Sequence, residues 1–240
     1  EETEFKPKPL VSVGGKPILW HIMKSYAHYG FNDFILALGY KGDLIKDYFL
    51  HERTFVNDFT LNTKTGDMVM HNNHCDDFNV TLAETGLKSL TGERIKRLKK
   101  YIGNDEHFMV TYGDGLSDVN IRKLVKFHKS HKKIATMTTI HPPARFGEVI
   151  INKNNYIKKF DEKPQVNQGW INGGFFVFNY KFFKFIKNDN TMLEKNPVKL
   201  LLKKKQIKAF KHKSFWKCMD TLRDKIQLNE MIKKKNTPWM

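Results

Sequence analysis

Apolar side chains recur along the chain in two rhythms, helical spacing and short unbroken runs. Ile18, Leu19, Ile22, Met23 and Tyr26 share one helical face. Their spacing predicts a helix with Pro17 at its first position and Gly30 beyond its end. Residues 33–38 form a continuous apolar run, the pattern of a buried parallel strand. Gly39-Tyr-Lys-Gly42 then turns into a helix over 43–49, and residues 59–62, 68–71 and 80–82 carry short strand patterns. Thr91 is placed as the N-cap of the next helix. Phe108–Thr111 is strand-like and runs into Gly113-Asp114-Gly115, after which Ser117 and Asp118 are cap candidates for a helix carrying Ile121, Leu124, Val125 and His128. A strand over 134–140, a loop over 141–147 and a hairpin of 148–151 with 156–161 around Asn154-Asn155 follow. A strand over 170–178 with two interior glycines comes next, then helices over 182–186 and 198–204, a strand over 207–212 and a last helix over 221–234.

Strands alternating with helices predict an α/β fold with a mixed, mostly parallel sheet flanked by helices. The order opens helix, strand, helix, whereas a parallel βαβ unit wants a strand first. The pattern therefore predicts that the first strand is absent from this chain. A length of 240 residues fits one domain, over 1–240, large enough to bury a core. The 19 phenylalanines and 40% hydrophobic content exclude a disordered chain. No apolar run reaches the ~18 residues of a membrane span, and no secretory signal pattern opens the sequence. Cys75 and Cys218 are too few and too far apart for a disulfide framework or a zinc site, so the expected setting is reducing and cytoplasmic.

The formal net charge of +17 admits nucleic acid, a membrane surface or a polyanionic small substrate as partner. The lysines are spread along the chain, and the runs 203–205 and 233–235 sit at helix ends, where cations suit the macrodipole. No nucleic-acid motif with interleaved aromatics accompanies them, so neither a nucleic-acid nor a membrane partner is expected.

Asp114, between two glycines at a strand's end, is the leading candidate for chemistry. Ligands gather at the carboxyl ends of strands in open α/β sheets, and such an acid suits a hard divalent cation shared with phosphates; an Asp-Gly turn is the plain alternative. In Lys6-Pro-Lys8-Pro the prolines hold an extended segment, so Lys8 is either a solvated side chain or a fixed ammonium for phosphate. His71, His74, Cys75, Asp76 and Asp77 match no standard metal spacing and are read as a polar loop. Arg94 is equally a surface cation. The glycines at 173 and 174 mark either a bulge or close approach of a ligand, and the Asn172 amide beside them suits a sugar hydroxyl. Asp220 sits where the cap of the last helix belongs, with Asp224 in the first turn.

Lys-Pro-Lys-Pro, Gly-Gly-Lys-Pro-Ile-Leu-Trp-His-Ile-Met, Gly-Tyr-Lys-Gly, Thr-Gly-Glu-Arg, Thr-Tyr-Gly-Asp-Gly, Arg-Phe-Gly, Glu-Lys-Pro, Ile-Asn-Gly-Gly-Phe-Phe-Val and Met-Asp-Thr-Leu-Arg-Asp occur in this order. The ordered set covers almost the whole chain and resembles the sugar nucleotidyltransferases, in particular the glucose-1-phosphate cytidylyltransferases. The resemblance implies a Rossmann-like fold, an oligomer, and CTP and glucose 1-phosphate as substrates, giving CDP-glucose for deoxysugar or surface-polysaccharide synthesis with Mg²⁺. It also implies Asp114 and Asp220 as metal ligands, with Lys8 and Asp114 in catalysis. Lys8 would hold phosphate, and Ser89, Thr91, Arg94 and Gly113 would lie on the nucleotide side. Glu162, Lys163, Asn172 and Gly173 would line the sugar. The family's first strand and glycine-rich loop have no counterpart in this sequence, which matches the absent first strand predicted above.

Overall fold

A computed structural model describes residues 6–142, 148–151, 155–161, 169–187 and 190–240. The backbone divides into two compact units, residues 1–105 with 183–200, and residues 106–182 with 201–240.

In the first unit, Lys8–Leu10 form a single 3-10 turn rather than the extended segment expected from the prolines. Pro7 remains extended, and Lys8 O accepts from Val11 N–H at 3.1 Å. A small ladder, β1 (Ser12–Val13) with β2 (Lys16–Pro17), leads into α1 (Ile18–Ala27), for which Pro17 is the N-cap residue rather than the first helical one. Strand β3 (Asp33–Leu38) is followed by α2 (Gly42–Val56), longer than its apolar pattern indicates. Strands β4 (Phe59–Leu61) and β5 (Met68–Met70) pair as an exposed hairpin. Strand β6 (Asn79–Glu84) runs parallel to β3 along its full length. Leu19 and Met23 of α1 bury against Leu38 of β3 and Ile45 of α2, with Phe34, Leu36 and Val80 packed around them. Helices α3 (Thr91–Arg97) and α4 (Lys99–Ile102) close this part of the chain.

The second unit is built on a four-stranded sheet. Strands β7 (His107–Thr111) and β8 (Gly115–Ser117) flank the Gly-Asp-Gly turn, and α5 (Ile121–His131) follows. The cap of α5 is Asn120, whose side chain accepts from Lys123 N–H, and not Ser117 or Asp118; Ser117 is already committed to β8. Strand β9 (Ala135–Ile140) precedes the hairpin β10 (Glu148–Ile151) with β11 (Ile157–Asp161). Strand β12 (Ile171–Asn179) runs into a 3-10 turn over Tyr180–Phe185, where an α-helix was expected. Helix α6 (Asn196–Lys203), most of which belongs to the first unit, precedes β13 (Ile207–Lys211), β14 (Trp216–Cys218) and α7 (Leu222–Lys233).

The sheet order is β13-β9-β12-β7. Strand β12 is antiparallel to both its neighbours and β13 is parallel to β9, so three of the four strands run one way. The α/β class and the mixed sheet expected from the alternation are thus present, with two of this sheet's three pairings antiparallel. Phe175–Phe178 of β12 are buried on both faces of the strand, and Phe178 stacks on Phe182 with ring centroids 4.0 Å apart. Each such phenylalanine contributes about 1.5–3 kcal/mol over an exposed one.

Three histidines meet at this sheet, His107 from β7 and two from α5. His128 and His131, one turn apart on α5, both bond Thr136 Oγ1, at 2.9 and 2.7 Å, and the His107 ring packs edge-on against His128 at 5.0 Å. Burial, and then His107, His131 and Lys129, push His128 down to about 4 from the ordinary 6.5. The folded protein therefore keeps His128 neutral while the unfolded chain takes up a proton below about 6.5. Stability from this site is present above that pH and is lost as pH falls towards about 4. Thermal melts should show Tm falling across that window, with a shallower fall in His128→Leu; parallel profiles for the two proteins would refute the assignment.

Candidate functional site

The second unit carries a cleft of about 240 Å³ lined by Tyr112, Asp114, Asn172, Trp216, Cys218 and Asp220, with Gly115 and residues 173–175. Its floor follows from one short ladder. Strand β14 pairs antiparallel with β8, setting Cys218 opposite Gly115 and Trp216 opposite Ser117. One residue beyond the ladder, Met219 N–H donates to Asp114 O at 2.8 Å. Asp114 and Asp220, far apart in sequence, are thereby brought to one place. A carboxylate oxygen from each and the Cys218 Sγ all lie within 4.8 Å of one another.

The reading of Asp220 as the cap of α7 does not hold. Thr221 is the cap: its hydroxyl accepts from Asp224 N–H, and the Asp224 carboxylate accepts in turn from Thr221 N–H. Burial alone would raise the Asp224 pKa, but bonds from Thr221 and Lys217 outweigh it and leave the carboxyl below its usual range. Asp220 is exposed at the rim, half-buried Asp114 sits deeper, and two hard oxygen donors converging there fit a divalent cation such as Mg²⁺.

The opposite wall is the start of β12. Its pairing with β9 shifts register between Asn172 and Phe176, so the two glycines do mark a bulge. Gly174 has φ 80°, and a Cβ there would come 3.0 Å from Tyr112 Cδ2. The Asn172 amide braces the bulge, donating to Tyr112 Oη at 3.1 Å and accepting from Gly174 N–H at 2.9 Å. An amide nitrogen carries two hydrogens, and Tyr112 takes one of them. Trp216 Nε1–H donates to Gly173 O at 2.8 Å, tying this wall to β14. The structure thus gathers Asp114, Asp220, Asn172 and Gly173 in one cleft, with Gly113 in the turn between Tyr112 and Asp114. Glu162 and Lys163 lie outside the described residues.

Lys8, Ser89, Thr91 and Arg94 belong to the first unit. Thr91 is not a cap; Leu90 holds that position, and the Thr91 hydroxyl donates to Glu194 and accepts from Leu193 N–H. Arg94 is no loose surface cation. Its guanidinium donates to Leu38 O at 2.9 Å and Thr85 Oγ1 at 2.6 Å, joining the ends of β3 and β6. Gly39 permits this, since a Cβ there would sit 2.5 Å from Arg94 Nη1. Ser89 Oγ donates to Thr85 O in the same loop. Ser89 also lines a cleft of about 400 Å³ with Gly86, Lys88, Glu93, Arg97 and Asn190. The loop around His71 and Cys75 is structural: Asp76 accepts from Trp20 Nε1–H and Lys24 Nζ, and His74 N–H donates to Asn57. Among the described residues, the one group of three suited to a metal is Asp114, Cys218 and Asp220.

Nothing in the sequence marks Tyr112 or Trp216 for the site, and Cys218 stands out there only as one of two scattered cysteines. Cys218 and Asp220 are two apart beside a strand, a spacing that sends side chains to one side; that signal was legible but short.

The sequence profile of the nucleotidyl transferase family matches residues 3–235. The chain is 45% identical over 239 residues to glucose-1-phosphate cytidylyltransferase of Salmonella typhimurium, covering 100% of this chain and 93% of that protein. It is 42% identical over 240 residues to a Bacillus subtilis protein named "probable glucose-1-phosphate cytidylyltransferase", covering 100% of this chain and 93% of that one. The crystal structure of HddC from Yersinia pseudotuberculosis superposes with TM-score 0.64 at 22% identity, over 94% of this chain and 90% of the other, a likeness of fold.

The wall and the turn give a direct test. Gly15 and Gly174 have φ of 84° and 80°, but a Cβ at Gly15 would meet nothing within 4 Å. Gly15→Ala should cost only the left-handed strain, about 1–2 kcal/mol. Gly174→Ala should cost more, towards about 3 kcal/mol, because Tyr112 must move. Equal losses in denaturant unfolding would contradict this packing.

Proposed function

The chain belongs to the nucleotidyl transferase family, and from that membership we infer that it transfers a cytidylyl group from CTP to α-D-glucose 1-phosphate, releasing pyrophosphate. The observation that carries the reading is the convergence of the Asp114 and Asp220 carboxylates in a cleft of the second unit. The identities of 45% and 42% to proteins named for this activity support the choice of base and sugar. The match over residues 3–235 supports treating the chain as one nucleotidyltransferase domain.

In this reading an oxygen of the sugar phosphate attacks the α-phosphorus of CTP. The bond from that phosphorus to the bridging oxygen breaks, and pyrophosphate departs with the electron pair. No covalent enzyme intermediate is needed, so the protein contributes positioning and charge neutralisation. Mg²⁺ held by Asp114 and Asp220 would supply charge neutralisation at phosphate oxygens. Asp114, fixed through its own carbonyl by Met219, presents its carboxylate from a turn with little side-chain bulk. Asn172, braced by Tyr112, orients an amide hydrogen for a sugar hydroxyl, and Gly173 keeps that wall low. We assign Glu162 and Lys163 to the same sugar, Lys8 and Lys163 to phosphate charge, and Ser89, Thr91, Arg94 and Gly113 to the nucleotide. A homo-oligomer and a cytoplasmic location complete the proposal. Exposed Leu50, Phe55 and Val69 of the first unit offer apolar surface for assembly, and neither cysteine is in a disulfide. Among the described residues no helix is long and apolar enough to cross a membrane.

Incubated with CTP, glucose 1-phosphate and Mg²⁺, the protein should release pyrophosphate. Asp114→Ala and Asp220→Ala should each lower turnover at least about a hundredfold, the scale of losing one electrostatic contact at the reacting centre, with the circular-dichroism spectrum kept. Unaltered turnover in either variant removes that residue from the mechanism. Equal release with GTP or dTTP overturns the assignment of CTP.

A further inference from the structure

Cys218 sits beside the two aspartates with no part in the reaction described above. Its Sγ and one oxygen each of Asp114 and Asp220 lie within 4.8 Å of one another. The ladder holds it there: Cys218 pairs with Gly115, which presents no side chain to cover the thiol, and Met219 N–H closes onto Asp114 O. Cys218 is half-buried in the cleft wall, so a solute entering the cleft can reach it. Cys75, the other thiol, has a different setting. It accepts from Asn57 Nδ2 at 3.4 Å and has no pair of carboxylates in ligating reach among the described residues.

We propose that Asp114, Asp220 and Cys218 together form a three-donor site for thiophilic divalent cations, of the Zn²⁺ and Cd²⁺ class, which compete with Mg²⁺ for the same carboxylates. The proposal rests on the reading of the two aspartates as metal ligands. Mg²⁺ is a hard cation that takes oxygen ligands in near-octahedral geometry and keeps several waters, so the sulfur adds nothing to its binding. Zn²⁺ takes mixed oxygen and sulfur ligands tetrahedrally, and thiolate selects softer metals. On binding, the thiol proton leaves to solvent. Two carboxylates and a thiolate then carry three negative charges against two positive ones. A cation so held has fewer open positions for phosphate oxygens than hydrated Mg²⁺, so occupancy of the sulfur-containing site inhibits turnover. Nothing about two carboxylates alone gives this sensitivity; it is the third donor that changes the chemistry.

The test follows cadmium, whose bond to thiolate absorbs in the ultraviolet by charge transfer. In Cys75→Ser protein without substrates, Cd²⁺ should raise this band to saturation at one ion per chain, and added Mg²⁺ should shift the titration to higher Cd²⁺. The band should vanish in Cys75→Ser with Cys218→Ser, and should need more than about a hundredfold more Cd²⁺ with Asp114→Ala or Asp220→Ala, beyond the loss seen for an outer-shell partner. With Mg²⁺ and substrates present, Zn²⁺ should inhibit reversibly by chelation. Cys218→Ser, scaled to its own uninhibited rate, should need at least about tenfold more Zn²⁺ for half inhibition. No saturating band, or one unchanged by the aspartate variants, overturns the three-donor site. If those variants lose the band yet turn over normally with Mg²⁺, the three-donor cation site stands, and both the catalytic metal reading and inhibition through these carboxylates fall.

Discussion

Three backbone pairings hold the candidate chemistry of this molecule. Strand β14 lies against β8 from Gly115 to Ser117, and Met219 N–H reaches Asp114 O beyond its end. Without that ladder Asp114 and Asp220 would have no reason to approach. Two carboxylates repel each other, by about 1 kcal/mol at 4 Å in water and about 4 kcal/mol at the effective dielectric of a protein surface. The ladder imposes a proximity that the side chains oppose, and a divalent cation bound there would relieve the opposition. The capping box of α7 matters for the same reason. Thr221 and Asp224 satisfy the first turn between themselves, and Asp220 is left facing the cleft.

The wall across from the acids borrows its rigidity from the core. Strand β12 is buried through Phe175–Phe178 and flanked on both sides, so its position is fixed by apolar packing. The bulge at Asn172–Gly174 redirects the chain just before this apolar run begins. Tyr112, Asn172 and Trp216 link the bulge, the β7 end and β14 through side-chain hydrogen bonds. A site mounted on such a frame keeps its donors in place better than one carried by loops alone.

Motif residues of the first unit serve its architecture. Arg94 ties the ends of β3 and β6, and Gly39 exists in the space the guanidinium needs. Buried Glu93 pairs with exposed Arg97 across one helical turn and accepts from Asn190 N–H. A motif can therefore be under tight steric demand for packing and still border a ligand cleft, as Ser89 does.

Strand and helix order was legible in the sequence because burial imposes its own period: continuous apolar runs for β3 and β12, helical stripes for α1 and α5. The place of Asp114 was legible too, since a strand stopping on Gly-Asp-Gly exposes an acid at its carboxyl end. Local grammar misplaced the caps at Thr91, Ser117 and Asp220, since neighbouring residues of similar capping chemistry differ only in what the tertiary structure asks of each. Thr91 was claimed by Glu194, Ser117 by the β8 ladder, and Asp220 by the cleft. The sequence by itself determined the longer elements, the class of fold and the family, through periodicity and ordered motifs, but not the short strands β8 and β14, too brief to carry a period. The meeting of Asp114, Asp220 and Cys218 was decided only by the pairing of β8 with β14, because a contact between distant segments depends on backbone register, which no local pattern encodes.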